Sequence, residues 1–133
     1  MKKSELTFFM PMIPPTVTAQ ERSVRVVSGK PVFFEPAQLQ EARSMLMGHL
    51  ASRTPPVPFG RAVELKVLWG FPQGRHLNGE WRTTKPDTDN LQKLLKDCMT
   101  RVGFWKDDAL VVREVVEKRW SNPSGIYIEI REV

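Results

Sequence analysis

The hydrophobic positions of the chain predict two amphipathic helices. The stronger pattern begins just after Asp87 and stops at Gly103. Its apolar residues recur at i, i+3, i+4, i+7 and i+11 and form a single stripe, made of Leu91, Leu94, Leu95, Cys98 and Val102. A second pattern covers residues 37–53, behind a proline that suits the first positions of a helix. Its apolar positions are Leu39, Ala42, Met45, Leu46 and Leu50.

Other segments have the alternation or the β-branched composition of strands. They are residues 5–10, 24–27, 31–34, 61–71, 109–116 and 125–132. A hairpin is expected at Gly29, and the turn at residues 122–125 is expected to pair the last two strands antiparallel. In the strand at residues 61–71, one face is predicted to be buried, with Val63, Leu65, Val67 and Trp69.

This order of elements predicts an α+β fold, with a mixed β-sheet and two main helices packed on one of its faces. A chain of 133 residues, of which 41% are hydrophobic, is long enough to bury a core and is predicted to form a single domain over residues 1–133.

The charge balance is basic, with 20 Lys and Arg against 15 Asp and Glu, a net charge of +5. Such an excess is typical of proteins that bind nucleic acid, although other proteins share it. The single cysteine, Cys98, excludes an internal disulfide and lies on the apolar stripe, so we expect a buried, inert thiol. No apolar run approaches the roughly 20 residues of a membrane span. We therefore expect a soluble, cytoplasmic protein with no membrane partner.

Acidic residues cluster at the start of the stronger helix and just after its end. Asp87 and Asp89 stand at its beginning, Lys93 shares a helix face with Asp89, and Asp107-Asp108 follow Gly103 within one short turn. Carboxylates brought together in this way are typical ligands of hard divalent cations. The alternative is that the first acids merely cap the helix, but a cap needs only one acid. An EF-hand is excluded, because Leu91 stands where that loop needs a ligand or its glycine.

The stretch KPDTDNLQKLLKDCMTRVGFWKDDALVV, residues 85–112, resembles the core of the RusA family of Holliday junction resolvases. The family pattern is D-x-D-N-L-x-K, a helix, and then G-x-[FW]-x-D-D before a strand, and every position is present here. A looser similarity extends to the first strand and to the last one. The segment after Pro15 departs from the Asn- and Arg-containing family segment that helps to hold DNA, with Arg22 and Arg25 as the candidate substitutes.

The resemblance implies a Mg²⁺-dependent endodeoxyribonuclease, with Mn²⁺ as a substitute, that cuts four-way DNA junctions by paired symmetric nicks. It implies a homodimer and a setting in recombination or repair, often on a prophage. Carried over residue by residue, the metal-binding acids are Asp87, Asp89 and Asp108, and Lys93 is the essential lysine that contacts a phosphate or orients water. Asp107 is either the third ligand in place of Asp108 or a cap, and Asn90 is expected to brace the helix start. Asp97, one turn beyond Lys93, is expected to form a plain i,i+4 surface pair.

A long polar loop, residues 72–84, lies directly upstream of the acidic motif. Its basic residues and the motif's first lysine predict an arm that contacts DNA phosphates, made of Arg75, Arg82 and Lys85, with Trp81 against a base or sugar. The alternative is a solvated loop whose Trp81 packs on its own domain. For the whole protein, two alternatives also stay open: a non-catalytic module that binds nucleic acid, and a metal-dependent nuclease for other substrates such as flaps, forks or RNA.

Overall fold

A computed structural model describes residues 3–18 and 23–133 and places six strands and two helices in this order. They are β1 (Glu5–Pro11), β2 (Ser23–Val27), β3 (Lys30–Phe34), α1 (Ala37–Ala51), β4 (Val63–Pro72), α2 (Thr88–Val102), β5 (Val111–Ser121) and β6 (Gly125–Glu132). A single turn of 3₁₀-helix, Asp108–Leu110, precedes β5. The predicted α+β class is confirmed. Arg22 lies outside the described residues, as does the side chain of Arg25, so their predicted role stays a prediction.

The main sheet has four strands in the order β1-β6-β4-β5, and the hairpin β2–β3 forms a separate pair. Strand β4 pairs parallel with β5 and antiparallel with β6, so the sheet is mixed as predicted. The expected hairpin between β5 and β6 is wrong, because β4 lies between them. Strand β4 is buried along nearly its whole length, so the backbone N–H and C=O groups on both of its edges need a neighbouring strand as their hydrogen-bond partner.

The turn after β5 carries the chain across the end of β4, above Gly70. A Cβ atom at Gly70 would lie 2.9 Å from Cβ of Ser121 and 3.2 Å from the carbonyl oxygen of Gly125. The missing side chain therefore leaves the space through which the chain passes from one edge of β4 to the other.

One face of the sheet and both helices enclose the hydrophobic core. Register aligns Leu65 with Ile130 and Val67 with Ile128, so the buried side chains of β4 and β6 point to the same side. Four of the five α2 stripe residues are fully buried, and Val102 is half-buried. On α1 the stripe is buried as predicted except at Met45, which is 37% exposed. Burial raises the pKa of the Cys98 thiol to about 11, in agreement with the inert thiol expected.

An ion-pair network joins the two helices. Arg43, almost completely buried on α1, pairs with both Glu35 and Asp97. Asp97 also pairs with Arg101, at 3.3 Å between Nε and Oδ2, and not with Lys93 as expected. The packing of α1 against α2 brings Arg43 to Asp97 from 54 residues away, which helix spacing alone does not reveal.

The opposite face of the sheet carries a buried carboxylate. Glu64 of β4 accepts hydrogen bonds from Arg131 of β6, at 2.7 Å, and from Arg113 of β5, at 3.1 Å. These two guanidinium groups hold the pKa of Glu64 below its ordinary value. Within the described part of the chain, neither helix is long and apolar enough to cross a membrane.

Candidate active site

Helix α2 begins with two exposed acids whose side chains do not cap it. Asp87 is the N-cap residue by backbone conformation, but its carboxylate makes no capping hydrogen bond, and its carbonyl accepts from the Leu91 amide at 3.1 Å. Among the residues that the structure describes, the carboxylate of Asp89 accepts only from the adjacent Asn90 amide, at 3.0 Å. The capping explanation of Asp87 is therefore wrong, and both carboxylates keep most of their acceptor capacity.

The turn after α2 is rigid because its aromatic residues are buried. Gly103 ends the helix in the left-handed conformation, with φ of 102°. The side chains of Phe104 and Trp105 then enter the core, and Trp105 Nε1 donates to Thr100 Oγ1 at 2.8 Å. The backbone is held as well, since the Phe59 amide donates to the Phe104 carbonyl at 2.8 Å. These contacts define where the following acidic pair stands.

The two acids of that pair have different surroundings. Oδ1 of Asp107 accepts from the Ala109 amide at 2.9 Å, so Asp107 caps the 3₁₀ turn. Asp108 instead lines a surface cleft between α2 and β5. This geometry favours Asp108 over Asp107 as the metal-binding acid, and the assignment stays a prediction.

The cleft gathers the polar residues of α2 and β5 around Asp108. Its lining residues are Thr88, Asp89, Gln92, Lys93, Lys96, Asp108, Glu114 and Val116. Lys93 is exposed and makes no hydrogen bond or ion pair with the residues that the structure describes. Asp89, Lys93 and Asp108 thus share one open cleft, whereas Asp87 does not line it.

A hard cation requires several oxygen ligands that converge on one point. In residues 3–18 and 23–133, no three His, Cys, Asp or Glu side chains stand close enough to hold one ion together. The three-acid cluster is therefore not assembled in this structure. Mg²⁺ characteristically uses one or two carboxylates and completes its shell with water and substrate phosphate. Asp89 and Asp108, which make no ion pair in the described part of the chain, suit that requirement.

The loop upstream of α2 is held along the outer edge of β5. The Trp120 amide donates to the Glu80 carbonyl at 2.8 Å, and the Arg82 amide donates to the Lys118 carbonyl at 3.0 Å. Trp81 therefore lies opposite Arg119. The loop continues the sheet for a few residues and is not simply a solvated connection.

The side chains of this loop divide between the two faces of the sheet. The Arg82 guanidinium carbon lies 4.3 Å from the ring centroid of Phe71 and 4.5 Å from that of Trp120, and burial lowers the pKa of Arg82. Trp81 points to the other face, where the Arg119 guanidinium carbon lies 3.7 Å from its ring centroid. One face of Trp81 thus packs on its own domain, while 56% of the residue stays exposed.

The chain is similar to known proteins along nearly its whole length. The family model described as endodeoxyribonuclease RusA matches residues 12–131. The chain belongs to the RusA family. It is also 30% identical, over 98% of its length and 99% of the relative's, to a protein of Lactococcus phage r1t named crossover junction endodeoxyribonuclease rusA. The predictions of family and of endodeoxyribonuclease class are confirmed.

The RusA motif residues occupy three kinds of position in the structure. Asp89, Lys93 and Asp108 meet in the cleft, and Asp87 and Asn90 stand beside it at the start of α2. Arg75 and Lys85 are exposed and suit contact with a phosphate. Arg82 differs, because its guanidinium is packed against two rings and bonded to the Lys85 carbonyl at 2.6 Å.

The sequence does not reveal a group of hydrogen-bonded residues that lies on the wall of the same cleft. Trp69 Nε1 donates to Gln92 Oε1 at 2.7 Å, Gln92 Nε2 donates to Glu114 at 2.8 Å, and Lys96 donates to the other Glu114 oxygen at 3.2 Å. The β-branched composition of residues 109–116 predicts only a strand. Arg113 and Glu114, the two charges inside that run, were the signal that could have revealed this group.

Proposed function

We propose that this RusA-family chain is a Mg²⁺-dependent endodeoxyribonuclease that resolves four-way DNA junctions by paired symmetric nicks. The observation that supports it is the open cleft in which Asp89 and Asp108 stand with Lys93, whose ammonium has no partner among the described residues. The near full-length similarity to a protein named crossover junction endodeoxyribonuclease supports a four-way junction as the substrate.

The cation would be held by Asp89 and Asp108, with Asp87 as the adjoining acid. When bound, Mg²⁺ or Mn²⁺ supplies Lewis acidity to the scissile phosphoryl group. Lys93 lies on α2 one turn beyond Asp89, and its exposed ammonium suits a non-bridging phosphate oxygen whose charge grows during cleavage. Asn90 lies in the same helical turn, where its backbone amide donates to the Asp89 carboxylate at 3.0 Å, and we assign it the support of the helix start.

The DNA path is proposed to run over Arg75 and Lys85, which lie in the segment between β4 and α2. Both are exposed and can neutralise phosphates, and the net charge of +5 suits a polyanionic partner. We assign Arg82 a smaller direct part than the sequence implied, since its guanidinium already bonds to the Lys85 carbonyl.

A homodimer is proposed because a four-way junction has two-fold symmetry. Two copies related by a two-fold axis would present one cleft to each of two equivalent strands, which accounts for paired nicks. The proposed setting is DNA recombination or repair in the cytoplasm of a bacterial cell, including a cell that carries a prophage.

The decisive experiment is cleavage of a labelled synthetic four-way junction in Mg²⁺, next to linear duplex and a single-flap substrate. Wild type is compared with Asp89→Asn and with Glu41→Gln, a matched carboxylate-to-amide change on the exposed surface of α1. Symmetric nicks confined to the junction, lost in Asp89→Asn and kept in Glu41→Gln, would support the proposal.

Two other outcomes would redirect it. Equal cutting of flap and junction would leave a metal-dependent nuclease without junction selectivity. Binding of junctions with no cutting in Mg²⁺ or Mn²⁺ would favour the non-catalytic binding module instead, whose affinity should fall steeply with salt.

A further inference from the structure

The segment that leads into Asp87 is held by cations that bind its backbone. The ammonium of Lys118 donates to the carbonyl oxygens of Thr84 and Pro86, each at 2.7 Å. The carbonyl between them, that of Lys85, accepts from Arg82 at 2.6 Å. Three successive carbonyls are thus bound by two cationic side chains, and Asp87 is the next residue.

Strand pairing explains why these two cations act together. Arg82 and Lys118 are neighbours across the edge of β5, so their side chains point to the same face of the sheet, which is the face that α2 covers. Lys118 also pairs in register with Trp69, whose indole bonds to Gln92 of α2. The clamp formed by Arg82 and Lys118 therefore stands between the core and the start of α2.

This use of a lysine is costly to the fold. An ammonium that is partly buried against neutral carbonyls loses hydration without gaining a paired carboxylate. Burial lowers the pKa of Lys118, and the like charge of Arg82 lowers it further, while the nearby Asp87 carboxylate acts in the opposite direction. Sites that place charge at such a cost are commonly functional.

We propose that Lys118 is a positioning residue for Asp87 in the nuclease site. It ties the two carbonyls that flank Lys85 to strand β5, so that the Asp87 carboxylate is presented at the edge of the cleft beside Asp89 and Asp108. Arg82 is the second arm of the clamp. This inference rests on the proposed function, because it assigns Asp87 a part in cation binding.

The test compares Lys118→Met and Lys118→Arg with wild type and with Lys66→Met. Lys66 makes the matched control, because it lies on the adjacent strand, points to the opposite face and forms a 3.8 Å contact with Glu64. Three quantities are measured: amide hydrogen exchange of residues 84–88 without metal, Mn²⁺ affinity by calorimetry, and kcat and KM on a four-way junction.

In Lys118→Met we expect faster exchange confined to residues 84–88, and Mn²⁺ affinity and kcat each reduced about tenfold or more, with KM little changed. Lys118→Arg keeps the charge and should recover part of both losses. If Lys118→Met does not fold, Lys118→Arg serves as the test variant, with smaller changes in the same direction.

Three results would overturn the inference. Unchanged exchange in Lys118→Met would show that Lys118 does not hold the segment before Asp87. Faster exchange with unchanged Mn²⁺ affinity and kcat would show that Lys118 holds this segment without positioning Asp87 for cation binding or cleavage. A wild type that neither binds Mn²⁺ nor cuts would remove the proposed function and with it the role of Asp87. The exchange measurement, made without metal or DNA, distinguishes this last failure from the first.

Discussion

The residues of the cleft fall into two groups, according to whether their polar side chains already bond to other side chains of the protein. Within residues 3–18 and 23–133, Lys93, Asp89 and Asp108 have few or no side-chain partners, whereas Gln92 and Lys96 are both bonded to Glu114. Substitutions in the first group should therefore change activity, and those in the second should also change stability.

Lys93→Met is expected to lower kcat on a junction about a hundredfold, because one cationic contact to the developing phosphoryl charge is lost. The free energy of unfolding should stay within about 0.5 kcal/mol of wild type, since Lys93 is exposed and unpaired in the described structure. Single-turnover cleavage and urea unfolding check the two expectations, with Lys66→Met as the control. Activity equal to wild type would exclude Lys93 from the reaction.

Gln92→Leu is expected to destabilise the fold by about 1–3 kcal/mol, because it leaves the buried Trp69 indole N–H without an acceptor. Urea unfolding measures the loss. Gln40→Leu, on the exposed surface of α1, should change stability much less. If the two variants are equally stable, the Trp69–Gln92 bond contributes nothing measurable to the fold.

At the scale of elements, β4 organises the sheet, since β5 and β6 lie along its opposite edges. The chain passes between those edges over Gly70, and the faces of β4 hold the core on one side and Glu64 on the other. Two changes on β4 test these roles separately.

Gly70→Ala should destabilise the protein by about 1–3 kcal/mol, because the new methyl group meets Ser121 at 2.9 Å. Combining it with Ser121→Gly should recover part of the loss, which a double-mutant cycle of unfolding free energies measures. Gly60→Ala is the control, since a Cβ there meets nothing within 4 Å. A fully additive cycle would contradict the contact.

The ion pairs of Glu64 predict a pH dependence of stability. The pKa of Glu64 is lowered in the folded state, so its contribution is complete above the ordinary value of 4.5 and is lost as pH falls through that value towards the folded one. The difference in unfolding free energy between wild type and Glu64→Gln should therefore shrink on acidification below pH 4.5. Urea unfolding at several pH values measures it, and a constant difference would contradict the prediction.

For the whole molecule, the proposed cation should link the site to global stability. A cation that binds only the folded protein, at about ten times its dissociation constant, adds about 1.4 kcal/mol. For a chain of this size, that raises the melting temperature by roughly 5 °C. Thermal unfolding with and without millimolar Mn²⁺ measures the shift, which should vanish in Asp89→Asn. Coincident melts of the wild type would argue against this cation site.

Much of the fold could be predicted because its signals are local. Helical periodicity places the α2 stripe in the core and Asp89 with Lys93 on one face, and alternation marks β4. The pairing of β5 was mispredicted, since a short turn between two strands resembles a hairpin whether or not a third strand lies between them. The buried Arg43 was missed because its partner Asp97 is distant in sequence.

The sequence by itself determined the family, the α+β class and the motif residues, because each depends on residue type and on short spacings. Only the tertiary structure decided which side chains share the cleft, that Asp107 caps a turn while Asp108 faces the cleft, and that Glu114 lies beside them. It also showed that Arg82 and Lys118 donate to backbone carbonyls of the segment before Asp87, while the phosphate contact expected of Arg82 stays a prediction. The physical reason is that these contacts join α2, β5 and the upstream loop, and no local pattern encodes a contact between elements that only sheet pairing brings together.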